Sequence, residues 1–331
     1  MAEAAGTRTR FTLRRVSASE RTFAGDIRQG MTAVQKSIPP RYFYDDLGSS
    51  LFDAICNLPE YYVTRAETEL LRRHARDIAA AAGKVDRIVE LGSGSARKTR
   101  LLLEEMTGDA HEIEYMPIDI DPHMLEKSGR ELLSDYPPLR VSAVCSDFTR
   151  PSRALAGVAD DGRTLMLFLG STIGNFQPRE AGALLREIHR VLKPGDGFLL
   201  GADLKKSPDI LNAAYNDALG ITAAFNLNLL QRINRELGGH FDLRAFSHHA
   251  FYDADQGRIE MHLVSLREQS VHVDALNLEV AFGEGETIHT ENSYKYDDED
   301  LAHLAADSGF EIKGRWTDSR GWFAEVLLSP R

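Results

Sequence analysis

The segment VDRIVELGSGSARKTRLLLEEM, residues 85–106, limits the possible folds of this chain more than any other stretch. An apolar run of strand length leads into a turn with two glycines, and a helical pattern follows directly. Strand, glycine turn and helix in this order are typical of a nucleotide-binding loop. A dinucleotide fingerprint has a third glycine where Arg97 stands here, so the segment argues against a nicotinamide-dependent oxidoreductase.

The pattern around this loop predicts a doubly wound α/β fold. Apolar strand segments alternate with helices, which is typical of a mostly parallel sheet covered on both faces. Thr64 and Glu67 form a capping-box pattern at the start of a helix that ends at Gly83. The tail predicts a helix and two strands that pair antiparallel at the sheet edge. The predicted strands are 86–91, 115–120, 140–145, 165–170 and 197–204, and the helices are 65–83, 96 onwards, 122–135 and 178–192.

The alternation stops at Ser207, which with Pro208 predicts the start of a long helical region reaching about residue 237. Residues 246–273 and 277–296 then have the pattern of antiparallel strands with turns between them. We therefore expect a second, α+β domain that binds the substrate. Its predicted segments are 26–64 and 205–295, the first domain takes 65–204 and 296–331, and residues 1–25 are expected to be loosely ordered.

Charge and hydropathy narrow the range of partners. The net charge of −11, from 50 acidic and 39 basic side chains, disfavours a nucleic-acid partner. No apolar run approaches the roughly 18 residues of a membrane span, so we expect a cytoplasmic protein with no membrane partner. His248 and His249 have no carboxylate or cysteine at ligand spacing nearby, so no metal is expected. A monomer acting on a small molecule is the working expectation.

Acidic residues follow the next two strands after the glycine turn. Asp119 lies 25 positions after Gly94, which suits a carboxylate that binds both hydroxyls of a ribose. Asp147 and Phe148 would offer an acceptor and an aromatic face to an adenine. Each acid alone could be a helix cap. The glycine turn, Asp119 and the Asp147–Phe148 pair are three features at one sheet edge, however, and together they favour a ligand site.

Together with the terminal antiparallel strands, these features resemble the class I S-adenosylmethionine-dependent methyltransferases. Their Rossmann-like fold binds a sulfonium compound that has no pyrophosphate, so a third glycine is not needed. A more specific resemblance, from about residue 30 onwards, is to the L-histidine Nα-methyltransferases of the ergothioneine pathway. The segments that carry it are 38-IPPRYFYDDLGSSLFDAICNLPEYYVTRAE-67, 90-ELGSGSARKTRLLL-103, 168-FLGSTIGNF-176, 258-RIEMHL-263 and 290-TENSYKY-296.

This resemblance implies the function and the site residues. The chain would trimethylate the α-amine of L-histidine, giving hercynine, with S-adenosylmethionine as co-substrate and no metal. The resemblance assigns the substrate carboxylate to Asn175 and Tyr215, places Gly170 and Asn175 near the reacting amine, and gives the imidazole to Tyr61, Glu291 and Ser293, with Met261 beside it. The residues implied to surround S-adenosylmethionine are Tyr44, Gly92, Lys98, Asp119, Asp147 and Phe148.

Alternative interpretations stay open for several of these residues. Met261 alternates with other apolar residues and could belong to the core, and Asn175 could be a turn residue. Tyr61 could be structural, or it could take the proton of the amine in place of a water. At the level of the whole protein, one alternative is a methyltransferase for another amine, such as a tryptophan-derived one, and another is a non-catalytic S-adenosylmethionine-binding module.

Overall fold

The computed structural model describes residues 10–16, 22–107, 112–148, 154, 156 and 162–331. The strands are β1 (Phe11–Arg15), β2 (Lys36–Ser37), β3 (Arg87–Leu91), β4 (Ile113–Asp119), β5 (Leu139–Cys145), β6 (Thr164–Phe168), β7 (Gly197–Asp203), β8 (Phe246–Asp253), β9 (Arg258–Ser265), β10 (Gln269–Val273), β11 (Leu278–Phe282), β12 (Thr287–Tyr294), β13 (Phe310–Thr317) and β14 (Phe323–Pro330). The α-helices are α1 (Phe23–Met31), α2 (Asp46–Ile55), α3 (Val63–Ala82), α4 (Arg97–Met106), α5 (Pro122–Asp135), α6 (Pro178–Val191), α7 (Pro208–Tyr215), α8 (Ile221–Leu237) and α9 (Asp298–Asp307).

The main sheet has eight strands in the order β1-β5-β4-β3-β6-β7-β14-β13. Its first six strands are parallel, while β14 pairs antiparallel with both β7 and β13. The predicted doubly wound sheet with an antiparallel edge is therefore confirmed. The strand order reverses between β3 and β6, and in such sheets ligands bind at the carboxyl ends of the strands beside this reversal. The glycine turn follows β3 at this position.

Side-chain alternation along the strands fills two separate cores, one on each face of the main sheet. In β3, Ile88 packs into one apolar cluster, while Val89 and Leu91 pack into the other. All five residues of β3 are buried, as expected for a central strand covered by helices on both faces. The rigid double layer fixes the positions of the loops at its carboxyl edge.

The N-terminal region differs from the expectation of loose order. Phe11–Arg15 forms the edge strand β1, which pairs in parallel with Val141–Cys145 of β5. The Arg10 side chain donates hydrogen bonds to the carbonyls of Leu133, Tyr136 and Leu139, which attach this strand to the end of α5. Helix α1 begins at Phe23, within the range expected to be loose. Residues 1–9 and 17–21 lie outside the described residues.

One local prediction about a helix start is wrong. Helix α3 begins at Val63, and its N-cap position is Tyr62 without a side-chain bond, so Thr64 and Glu67 form no capping box. Tyr62 already has helical angles, and Thr64 therefore lies inside the first turn. The predicted helical region from Pro208 to about residue 237 is present as two helices, α7 and α8, which residues 216–220 connect; Gly220 at the end of this connection has a φ of +73°. Ser207 does precede α7, but its side chain makes no cap bond.

A second sheet has the strand order β2-β12-β9-β8, and β10 pairs with β11 in a separate ribbon. The register between β9 and β12 shifts between His289 and Glu291, so a bulge precedes Glu291. Leu204 and Tyr296 form a bridge where the chain passes between the two sheets. In the described part of the chain, no helix is both long and apolar enough to cross a membrane.

Candidate active site

A cavity of about 1420 Å³ extends from the carboxyl edge of the main sheet to the second sheet. The residues around it come from both sheets and from the segment that precedes α3. All thirteen site residues predicted from the sequence lie in its lining: Tyr44, Tyr61, Gly92, Lys98, Asp119, Asp147, Phe148, Gly170, Asn175, Tyr215, Met261, Glu291 and Ser293. The structure thus brings together residues that are up to 249 positions apart, from Tyr44 to Ser293.

The glycine turn gives the cavity a wall of bare backbone. Gly92 has a φ of +69°, and a Cβ there would lie 3.2 Å from the ring of Phe148. The N–H of Gly94 donates to Asp119 Oδ2 at 2.9 Å, which holds the turn against the end of β4. Because Gly92 has no side chain, the Phe148 ring packs closely against the turn, and both residues line the cavity.

The two predicted nucleoside acids have different surroundings. Burial raises the pKa of Asp119, while the backbone N–H groups of Asp121 and Gly94 favour its charged form. Asp147 Oδ2 accepts a hydrogen bond of 3.0 Å from Arg41 Nη1. Arg41 also forms an ion pair with Asp26, so it ties the segment before α2 to the loop that follows β5. Sequence reasoning did not identify Arg41.

Lys98 meets a buried carboxylate below the centre of the cavity. Its Nζ donates to Glu67 Oε2 at 2.6 Å, and the N–H of Gly170 donates to Glu67 Oε1 at 2.5 Å. Burial lowers the pKa of Lys98, but the charge of Glu67, its hydrogen bond to Lys98 and the nearby carboxyls of Glu325 and Glu90 together raise the pKa above its ordinary value. A Cβ on Gly170 would lie 3.0 Å from Lys98 Nζ. Glu67 therefore connects the residue implied for the cofactor to the residue implied for the amine.

Glu291 presents a carboxylate to the substrate side of the cavity. It lies on β12 directly opposite Met261 of β9, so both side chains belong to the same region of the second sheet. Burial raises the pKa of Glu291 to about 7, and the charge of Lys295 opposes part of this rise. Among the described residues, none forms a hydrogen bond with the Glu291 side chain, which leaves the carboxylate available to a ligand.

Ser293 and Tyr215 share a buried hydrogen-bond network with Lys295. Tyr215 Oη donates to Ser293 Oγ at 2.8 Å, and Lys295 Nζ donates to Ser293 Oγ at 2.8 Å and to Tyr215 Oη at 3.1 Å. Lys295 also forms an ion pair of 2.8 Å with Asp203, which is fully buried. His248 Nε2 bonds the carbonyl of Tyr215 at 2.8 Å, so this histidine holds the backbone of the network.

The remaining predicted substrate residues surround this network. Tyr61 lies edge-on to Tyr215, with ring centroids 6.1 Å apart. Burial raises the pKa of Tyr61 well above its ordinary value, which favours the protonated form of its hydroxyl. Burial and, next, the charge of Glu291 raise the pKa of Tyr44, so this predicted cofactor contact lies close to the substrate side as well. Met261 is both buried in the core and part of the cavity lining.

Asn175 belongs to a short 3₁₀ segment, Thr172–Asn175, at the end of β6. The segment follows Gly170 and Ser171, which both have positive φ angles, and Ser171 Oγ accepts a bond of 2.9 Å from the N–H of Asp203. A non-glycine residue with a positive φ is strained and is held there by its surroundings. In the described chain no hydrogen bond engages the Asn175 amide, so its donor and acceptor both remain available to a ligand.

One group of metal-binding side chains lies outside the cavity lining, on the second sheet. Ligand atoms of Glu260, His262 and His289 lie within 4.8 Å of one another. Glu260 is already paired with His262 at 2.9 Å and with Arg258 at 2.5 Å, and a guanidinium beside the carboxylate opposes the binding of a cation. The sequence did not indicate this group because the histidines come from different strands. The expectation of no metal stays a prediction.

Comparisons with known proteins are consistent with this geometry. The model of a family described as histidine-specific, SAM-dependent methyltransferases matches residues 23–330. A histidine N-alpha-methyltransferase of Mycolicibacterium smegmatis is 45% identical over 91% of this chain and 93% of its own. A histidine N-alpha-methyltransferase of Mycobacterium tuberculosis is 41% identical over 92% of this chain and 94% of its own. Ergothioneine biosynthesis protein 1 of Schizosaccharomyces pombe is 28% identical over 89% of this chain but only 39% of its own length.

Proposed function

The chain belongs to the family of histidine-specific, S-adenosylmethionine-dependent methyltransferases, and from this premise we propose that it trimethylates the α-amine of L-histidine. The product is the betaine hercynine, and the reaction is a step of ergothioneine biosynthesis. The observation that carries this proposal is the free Glu291 carboxylate beside Ser293 in the same cavity as the glycine turn. The Glu291 carboxylate accepts hydrogen bonds and the Ser293 hydroxyl can donate one. Together they match the N–H group and the bare nitrogen of an imidazole.

The cofactor end is formed by the turn at Gly92, by the carboxylates of Asp119 and Asp147 and by the ring of Phe148. S-adenosylmethionine, when bound, supplies an electrophilic methyl group on a sulfonium. In this proposal Asp119 holds the ribose hydroxyls, and Asp147 together with Phe148 holds the adenine. Lys98 lies next to Gly170, where its charge can attract the carboxylate of the methionine part.

At the substrate end, the chain must hold histidine with its amine directed toward the cofactor. Asn175 offers both a donor and an acceptor, so it can bind the substrate carboxylate and orient the amine. Tyr215 is the second residue proposed to contact that carboxylate, and Tyr61 is proposed to contact the imidazole. Positioning of this kind can supply up to roughly 7–11 kcal/mol of the barrier reduction in a transfer between two bound molecules. No covalent nucleophile is required.

Three successive transfers need a pocket in which the amine can gain methyl groups while the ring stays in place. Gly170 has no side chain, and the space beside it is bounded by Lys98. In the proposed arrangement the ring is held by the second sheet and the amine faces the main sheet. We accordingly propose that residues 26–64 and 205–295 form the substrate-binding part, and residues 65–204 and 296–331 the methyltransferase part.

Mass spectrometry of the products tests this function. The purified protein is incubated with S-adenosylmethionine and an equimolar mixture of the twenty amino acids. We expect one product, histidine with three added methyl groups, and an at least tenfold lower rate of its formation with the Asn175→Ala variant at the same protein concentration. Methylation of another amino acid with histidine untouched would contradict the proposed substrate. Binding of S-adenosylhomocysteine without any methylated product would contradict the proposed activity.

A further inference from the structure

The network behind Ser293 contains a lysine that the proposed function does not use. Lys295 follows β12 directly, and its side chain is 1% exposed. An ammonium group has three N–H donors and no acceptor. In this structure those donors meet Asp203 Oδ2, Ser293 Oγ and Tyr215 Oη at 2.8, 2.8 and 3.1 Å. Both hydroxyls must therefore accept a hydrogen bond from Lys295.

This constraint limits where the hydroxyl protons can point. A hydroxyl has one proton and two lone pairs, and Tyr215 Oη donates its proton to Ser293 Oγ at 2.8 Å. A phenol is also the better donor of the two because it is the stronger acid. Ser293 Oγ then accepts from both Lys295 and Tyr215, so both of its lone pairs are occupied. The proton of Ser293 is left to point into the cavity that this residue lines.

We propose that Lys295 is a positioning residue that presents Ser293 as a hydrogen-bond donor, so that the site selects the neutral imidazole of the substrate. This inference rests on the proposed function, since it takes histidine as the ligand. A neutral imidazole has one N–H for the Glu291 carboxylate and one bare nitrogen for the Ser293 hydroxyl. An imidazolium has two N–H groups, one of which would face the proton of Ser293.

The two charged groups near the ring position have opposite effects on a cationic ring. Glu291 attracts a cationic ring, whereas the ammonium of Lys295 repels one. The hydroxyls of Tyr44, Tyr61 and Tyr215 and the thiol of Cys56 also line this part of the cavity, and burial favours the protonated form of all four by raising their pKa values. If Tyr215 turns its proton to the substrate carboxylate, Lys295 still occupies one lone pair of Ser293 and still opposes a positive ring.

Lys206 supplies a matched control. Lys206 is also buried and pairs with the same Asp203, at 2.6 Å. Its two other partners are the hydroxyl of Tyr62 and the carbonyl of Leu204. It contacts neither Ser293 nor Tyr215 among its hydrogen bonds. Lys206→Met and Lys295→Met therefore each remove one buried ammonium from Asp203, and only Lys295→Met frees the Ser293 hydroxyl.

The first experiment uses the wild-type protein and measures the protonation of the bound ring. ¹⁵N NMR spectra are recorded at pH 6 with ring-labelled L-histidine and S-adenosylhomocysteine. Free histidine is mostly imidazolium at this pH, because its ring pKa is about 6.5. We expect the bound ring to show one protonated and one bare nitrogen. Two protonated nitrogens in the bound ring would overturn the inference while leaving histidine as the substrate, and histidine that does not bind would overturn the proposed function itself.

The second experiment measures selectivity. The two pyrrolylalanines each keep one ring N–H and replace the other nitrogen by C–H, so they cannot accept the Ser293 proton. In the wild type kcat/KM should favour histidine strongly over both analogues. We expect this ratio to fall about tenfold or more in Lys295→Met and to stay at the wild-type value in Lys206→Met. An equal fall in both variants, or none in Lys295→Met, would overturn the role of Lys295.

A variant that fails to fold does not end the test. Ser293→Ala leaves Lys295 and its ion pair with Asp203 in place and removes only the proposed donor. We expect the same loss of selectivity between histidine and the pyrrolylalanines in this variant. A ratio that stays at the wild-type value in Ser293→Ala would overturn the donor assignment, whatever the behaviour of Lys295→Met.

Discussion

Replacing Glu291 with glutamine should make the ligand-free protein more stable above pH 7 while making it a poorer catalyst. Burial raises the pKa of this carboxyl from 4.5 to about 7. Because the folded-state pKa lies above the unfolded one, the stability contributed by the protonated form is complete below pH 4.5 and is lost as the pH rises to about 7. Ionising Glu291 in the folded protein at pH 8 then costs about 3 kcal/mol relative to the unfolded chain.

Glutamine keeps the shape of the side chain but does not titrate. The free energy of unfolding of Glu291→Gln should therefore exceed that of the wild type by about 2–3 kcal/mol at pH 8, and by less than about 1 kcal/mol at pH 5. Urea titrations of both ligand-free proteins at the two pH values measure this difference. Glu284→Gln is the control, because Glu284 is an exposed carboxylate in the turn between β11 and β12. A wild-type-to-variant difference that is the same at pH 5 and pH 8 would refute the reasoning.

The same substitution should lower activity on histidine. A hydrogen bond to a charged acceptor contributes about 1.5–3 kcal/mol, against about 1 kcal/mol for a neutral one. We therefore expect kcat/KM for histidine to fall about 2- to 30-fold in Glu291→Gln, and further in Glu291→Ala. Wild-type kinetics in Glu291→Ala would show that the carboxylate does not bind the imidazole.

Three more substitutions test the rest of the cavity. Asp119→Ala should weaken binding of S-adenosylhomocysteine about 30-fold, since a charge-assisted bond to a ribose hydroxyl contributes about 2 kcal/mol; an unchanged Kd by calorimetry would exclude the ribose role. Gly92→Ala should weaken the same binding about tenfold, because its Cβ would lie 3.2 Å from Phe148 at a φ of +69°, and equal affinity would show that this wall does not contact the ligand. Asn175→Ala should lower kcat/KM for histidine at least tenfold with no change in the Kd of S-adenosylhomocysteine, and a loss of cofactor affinity instead would place Asn175 at the wrong end of the cavity.

The parts of the fold that sequence reasoning predicted are those with strong local patterns. Apolar runs identified the five parallel strands from β3 to β7, and the acids at the ends of β4 and β5 were found because strand ends are readable from the sequence. The edge strand β1 was missed because it is short and only two of its residues, Phe11 and Leu13, are partly buried. Its stability comes from pairing with β5, more than 125 positions away.

The parts of the site that were missed depend on contacts between distant segments. Glu67 fits the spacing of a capping box, yet it is fully buried and pairs with Lys98, because the helix already begins at Val63 and turns Glu67 toward the sheet. A carboxylate on the apolar face of an amphipathic helix was the available signal. Lys295 gave no such signal, since its partner Asp203 lies 92 positions earlier and meets it only once both sheets have formed.

The position of β14 in the main sheet has a consequence for how the chain folds during synthesis. This strand lies between β7 and β13, and its Phe323 pairs with Asp203, which the ribosome delivers 120 residues earlier. Until β14 arrives, β7 has an open edge, and open strand edges can pair with other chains. Contacts that are so distant in sequence form slowly, so nascent chains that stall between β7 and β14 should be prone to aggregate and to need chaperones.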